Sequence, residues 1–167
     1  MEHKTTPAER PGLSLPLQIL TQADISRLNR EIETVRDFFA QAAIGGTTAK
    51  NVPQISQQLT AVINENHLNL LQLEDRSRIE FFLKAVRSKA PIVHVSFASD
   101  PKPDFLMKIA AWMRREAHPY VLLHVGLQPS IAAGCVIRTT NKYFDFSFKR
   151  HFDESKAKLA PTLKAIT

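Results

Sequence analysis

From Ile25 to Ala42 the apolar residues Ile25, Leu28, Ile32, Val35, Phe39 and Ala42 recur at alternating gaps of three and four, the period of one helix face. Thr21 stands where an N-cap belongs, Asp24 falls in the positive first turn, and Gly45-Gly46 closes the pattern. The spacing predicts a helix over residues 21–44. So narrow a seam suits two arrangements: a core helix lying on the rest of the protein, or a coiled-coil-like helix that zips onto a partner. Both stay open at this level. Upstream, residues 1–20 read as a flexible arm, with prolines at Pro7, Pro11 and Pro16. Within it Leu13, Leu15, Leu17 and Ile19 alternate, as in an extended segment with one apolar side.

Residues 45–52 read as a linker. Pro53 suits the first turn of a second helix, with Ile55, Leu59, Val62 and Ile63 on one face, giving out at Asn64-Glu65-Asn66-His67. After the group Leu68, Leu70, Leu71 and Leu73, a third helix spans about 75–88, with Ile79, Phe82, Leu83 and Val86 at helical spacing. Residues 52–90 are thus expected to form an antiparallel helical hairpin. At Pro91 the period changes. Ile92-Val93-His94-Val95-Ser96-Phe97 predicts a strand. A helix over about 104–117 follows, with Phe105, Ile109, Trp112 and Met113 inward and Lys108, Arg114, Arg115 and Glu116 outward. Tyr120–Val125 predicts a second strand, parallel to the first through a right-handed crossover. Cys135-Val136-Ile137 and the aromatics after Asn141 then predict a β-hairpin, with Phe144, Phe146 and Phe148 alternating as one buried face would. A last helix is expected over about 148–159. The class is α+β: helices first, then residues 91–162 as a module with a mixed four-stranded sheet, a β-α-β unit plus hairpin.

Apolar residues make up 44% and charged residues 23% of the 167, the balance of a globular chain able to bury a core. No run reaches the roughly 18 apolar residues of a membrane span, and the polar N-terminus does not read as a secretory signal. A lone cysteine, Cys135, suits a reducing cytoplasm. The net charge of +6 allows an acidic partner, although the basic residues are scattered. Candidate chemistry is sparse. The six histidines make no metal-ligand pair of the HExxH kind, and no GxSxG elbow occurs. Gly45-Gly46-Thr47-Thr48-Ala49-Lys50 lacks the Gly-Lys-Ser/Thr order and the preceding strand of a phosphate loop. His94 and His124 fall on adjacent predicted strands. The expectation is a protein without catalytic residues, cofactor or metal.

The stretch from Gln128 to Phe152 carries a further signal. Pro129-Ser130-Ile131, Gly134, the strand Cys135-Val136-Ile137-Arg138, and the closing Asp145 and Ser147 stand in one ungapped order. This order resembles the C-terminal signature of the delta subunit of F-type ATP synthases, the family of the oligomycin-sensitivity-conferring protein: D-P-x-L-I-G-G, a strand, a Gly-Asp turn, and D-G-S before a basic helix. Val95-Ser96-Phe97-Ala98 is similar to the family's Val-Thr-Ser-Ala strand end, and Ile63–Leu68 to its Leu-x-Glu-Asn-x-Arg-Leu segment. The resemblance covers about residues 54–152. Gln128 replaces the acid, Ala133 the first glycine, Thr140-Asn141 the Gly-Asp turn and Phe146 the glycine of D-G-S. Those positions are therefore expected to hold backbone angles open to ordinary residues. Only about 50 residues precede the match, too few for the family's six-helix N-terminal domain, which grips the alpha subunits.

The resemblance implies a non-catalytic stator subunit. In the family it joins the peripheral-stalk b subunits to the catalytic head, so that rotor torque drives ATP synthesis coupled to proton transport. It implies subunit b and the alpha subunits as partners, and a cytoplasmic place, peripheral at the inner or plasma membrane, without direct insertion. Two partner surfaces are expected: the seam of Ile25, Leu28, Ile32, Val35 and Phe39, and the C-terminal module with Phe148 and Phe152. Pro129, Ser130, Gly134, Asp145 and Ser147 are expected to be structural. The alternatives are a small basic nucleic-acid-binding module, with Lys142, Lys149 and Arg150 among aromatics, or an unrelated protein–protein adaptor. A buried aromatic face would count against nucleic acid, because base stacking needs exposed rings.

Overall fold

The structure, a computed structural model, describes residues 12–45, 53–131 and 133–148. Three helices come first: α1 (Gln22–Gly45), α2 (Gln57–Glu65) and α3 (Leu73–Lys89). Strand β1 (Ile92–Phe97), helix α4 (Pro103–Glu116) and strand β2 (Leu122–Leu127) form the β-α-β unit. A 3-10 turn (Pro129–Ile131) leads to the hairpin of β3 (Gly134–Arg138) and β4 (Tyr143–Ser147). The fold is α+β, with one mixed sheet in the order β2-β1-β3-β4. β1 and β2 are parallel, and the other two pairings are antiparallel.

Helix α1 begins at a reciprocal cap. The Asp24 N–H donates to Thr21 Oγ1 at 3.2 Å, and the Thr21 N–H donates to Asp24 Oδ2 at 2.9 Å. Its seam answers the question that periodicity left open. Ile25, Leu28, Ile32 and Val35 are wholly buried within the chain, at about 1.5–3 kcal/mol of hydrophobic stabilisation for each such side chain. The main partner is α3, which runs antiparallel to α1. Arg36 meets Glu80 at 3.0 Å, Lys84 lies 4.0 Å from Glu33, and the Arg76 guanidinium caps the Phe39 ring at 4.5 Å. The partner-helix reading of these four side chains is thus corrected. The hairpin expected over 52–90 is also recast, because α3 makes its most extensive helix packing with α1. Helix α2 starts four residues later than Pro53 suggests. Ser56 is its cap, accepting from the Leu59 N–H at 3.1 Å, and Glu31 of α1 holds Ser56 through both its hydroxyl and its N–H.

The arm is not free from Gly12 onward. Leu15 and Ile19 enter the helical core, while Leu17 turns outward because the Ile19 N–H closes a turn on the Pro16 carbonyl. Asn66 grips the arm at Ser14, accepting from its N–H at 2.6 Å and donating to its carbonyl at 3.0 Å, and Glu65 accepts from the Ser14 hydroxyl at 2.9 Å. On the other side Arg114 donates to the carbonyls of Leu15 (2.9 Å), Pro16 (3.0 Å) and Ile19 (2.5 Å). Arg114, read from the period as outward, therefore points into the seam between helices and sheet. Burial pushes its pKa down, with Glu65 opposing. The Leu123 N–H of β2 donates to the Leu20 carbonyl at 2.7 Å, so the arm also covers that sheet edge.

One face of the sheet, with Val93, Val95, Phe97, Leu123, Cys135 and Ile137, packs on Ile109, Ala110 and Met113 of α4. Phe105, expected inward, is only edge-packed on Phe97 and is 46% exposed. β2 begins at Leu122 and not at Tyr120, whose hydroxyl reaches the arm carbonyl of Leu13 at 2.9 Å. The aromatic alternation of β4 is another correction. Phe144 is half-buried on Trp112 of α4, but Phe146 and Phe148, on and just after the outer strand of the sheet, are 53% and 55% exposed. The helix expected from Phe148 lies outside the described residues except for Phe148 itself, which follows β4. The 46–52 part of the linker and the first eleven residues lie outside them too.

Candidate functional site

The hairpin is held by the residues that carry the family resemblance. Gly134 has φ +89°, a left-handed angle costly for any other residue. A Cβ there would collide with the Phe146 carbonyl oxygen and lie 3.1 Å from the Ser147 Cα. Asp145 Oδ1 accepts from the Ser147 N–H at 2.8 Å, Ser147 is buried, and the Phe148 N–H donates to the Ala133 carbonyl at 2.9 Å. Pro129 and Ser130 form the 3-10 turn that plants Ile131 in the interior. Ala133, Thr140, Asn141 and Phe146 hold no positive φ; among described non-glycine residues only His67 does. Gly134, kept by the sequence, is the hairpin position that needs glycine.

The sheet face opposite α4 is polar and open beyond Leu122, which the helical layer covers. A cavity of about 430 Å³ lies there, walled by His94, Ser96, Ser130, Arg138, Tyr143 and Asp145 among others. His94 and His124, on adjacent strands as the sequence predicts, prove to be register partners, with ring centroids 4.8 Å apart. Arg138 and Tyr143 extend that row. Sequence reasoning did not join them, although a four-residue turn between two strands sets their pairing. No group of three or more potential metal ligands occurs among the described residues. Cys135 is buried, and burial pushes its thiol pKa up, away from a reactive thiolate.

Exposed large apolar side chains are spread over both layers, Leu17, Ile44, Phe105 and Leu127 among them. Leu71 of the α2–α3 connection and Leu73 and Phe81 of α3 point outward from the helical layer. Phe146 and Phe148 stand at the β4 edge, the opposite side of the sheet from the arm-covered β2. Of the expected partner residues, Phe148 is therefore on the surface, Phe39 is half-buried under Arg76, and Phe152 lies outside the described residues. No helix among the described residues is long and apolar enough to cross a membrane. No family model matches the chain, and no curated protein matches it.

Proposed function

We propose that the chain is a non-catalytic stator subunit of an F-type ATP synthase, tying subunit b to the catalytic head from the cytoplasmic side of the membrane. The observation that carries this reading is the hairpin lock. Gly134, Asp145 and Ser147, three residues of the resemblance, meet in one strand pair where each has a backbone-level task. Asn66 and Glu65, from the second matching segment, likewise hold the arm to the helices. A stator must hold two partners at once, and the helical layer and the sheet each carry exposed apolar side chains. Their aliphatic and aromatic side chains suit helix-in-groove contacts. With the α1 seam buried, the surfaces proposed for partners are Leu73 and Phe81 for the head and Phe146 and Phe148 for subunit b.

The test is affinity capture of subunit b by the tagged chain. Capture by the natural sequence, and its loss in Phe146→Ser/Phe148→Ser with the fold retained, is expected. A natural chain that never retains subunit b removes the reading. One observation favours a nucleic-acid-binding module as second reading: the exposed rings of Phe146 and Phe148, where a buried face was expected. Salt-dependent binding of a single strand, without capture of subunit b, would select it.

A further inference from the structure

One register row crosses the open face of the sheet from edge to edge: His124 on β2, His94 on β1, Arg138 on β3 and Tyr143 on β4. The His94 and His124 rings touch, and the Arg138 guanidinium lies 5.7 Å from the centre of the Tyr143 ring. Below the row are the hydroxyls of Ser96 and Ser130, on the wall of the 430 Å³ cavity. Among the described residues, the side chains of His94, His124, Arg138 and Ser96 have no hydrogen-bond acceptor, and Arg138 has no carboxylate partner. A fork of guanidinium donors beside imidazole and hydroxyl donors is complementary to a tetrahedral oxyanion. The cavity has the size of a small-molecule site and not of a protein groove. Among the described residues that line the cavity, Asp145, one row away on β4 with Oδ1 turned to the Ser147 N–H, is the opposing charge.

We infer that this face is a binding site for a small molecule bearing a phosphoryl group, with Arg138 as its anchor and His94 and Ser96 as flanking donors. The site is independent of the stator reading, and neither depends on the other's success. A carboxylate this close to an anion site opposes binding, so two shape-conserving variants are expected to have effects of opposite sign. Arg138→Gln removes the guanidinium and is expected to weaken binding about tenfold or more. Asp145→Asn keeps the acceptor for Ser147 but loses the charge, and is expected to tighten binding.

The experiment is a nuclear magnetic resonance titration of the whole chain with inorganic phosphate and, separately, with a nucleoside monophosphate. The expected result is saturable shifts at His94, Ser96 and Arg138 with at least one probe, lost in Arg138→Gln and strengthened in Asp145→Asn. Stronger binding of the nucleotide would identify a ring-bearing ligand; equal binding would identify the phosphoryl group alone. The inference is overturned if neither probe gives saturable shifts, or if Arg138→Gln binds as the natural chain does. It is also overturned if only a single-stranded oligonucleotide binds this face.

Discussion

Gly134 is the residue on which the hairpin turns. Its φ of +89° and its contact with the Phe146 backbone leave no room for a side chain. Gly134→Ala is expected to cost about 1–3 kcal/mol in a denaturant titration, whereas Ala133→Gly one position earlier should cost about 0.4–1 kcal/mol. Equal effects at the two positions would contradict the backbone account. At this scale the sequence was informative where a residue type has one physical reason to be present, as with this glycine or the Thr21–Asp24 cap. It was silent where a side chain's task depends on a distant segment. Arg114 sits on the polar side by helical period, yet its guanidinium meets carbonyls nearly a hundred residues away. Nothing local could foretell that.

Among the elements, the arm and the α1–α3 pair decide how the two layers stay together. Arg114→Met removes hydrogen bonds worth about 1.5–3 kcal/mol when the donor is charged and strands the carbonyls of Leu15, Pro16 and Ile19. The expected outcome is a lower melting temperature and faster proteolysis in the arm. The α1–α3 pair adds a pH dependence. Lys84, hydrogen-bonded at 2.5 Å, is the main cause that holds the Glu80 carboxyl below its ordinary range, and Arg36 adds to it. A depressed carboxyl stabilises the fold above its unfolded pKa and loses that stabilisation as pH falls through its folded value. Thermal midpoints should therefore drop on acidification into and below the carboxyl range, and Glu80→Gln should flatten that part of the profile. Helices and strands were read well because apolar period survives any arrangement of neighbours: β1 matches its predicted span, and α3 and α4 match theirs to within two residues. Which neighbour covers a face was not legible. The α1 seam fits a partner helix or α3 equally, and the Phe144–Phe148 alternation says nothing about which of its rings α4 covers.

For the molecule as a whole, a three-helix layer and a small sheet are strapped together by one arm, with exposed apolar side chains on each layer and a polar sheet face between them. The proposed stator role requires a joint that holds two contacts at once. The hairpin half of the candidate site was visible in the ordered residues from Pro129 to Ser147. The row of His124, His94, Arg138 and Tyr143 emerged only once four strands were in register. The decisive measurement is retention of the catalytic head on membranes prepared from the native host with this chain removed. ATP-driven proton pumping by those membranes is expected to be lost while the released head still hydrolyses ATP, and adding back the purified chain should restore pumping. Membranes that pump normally without the chain would contradict the proposed role as the joint between stalk and head.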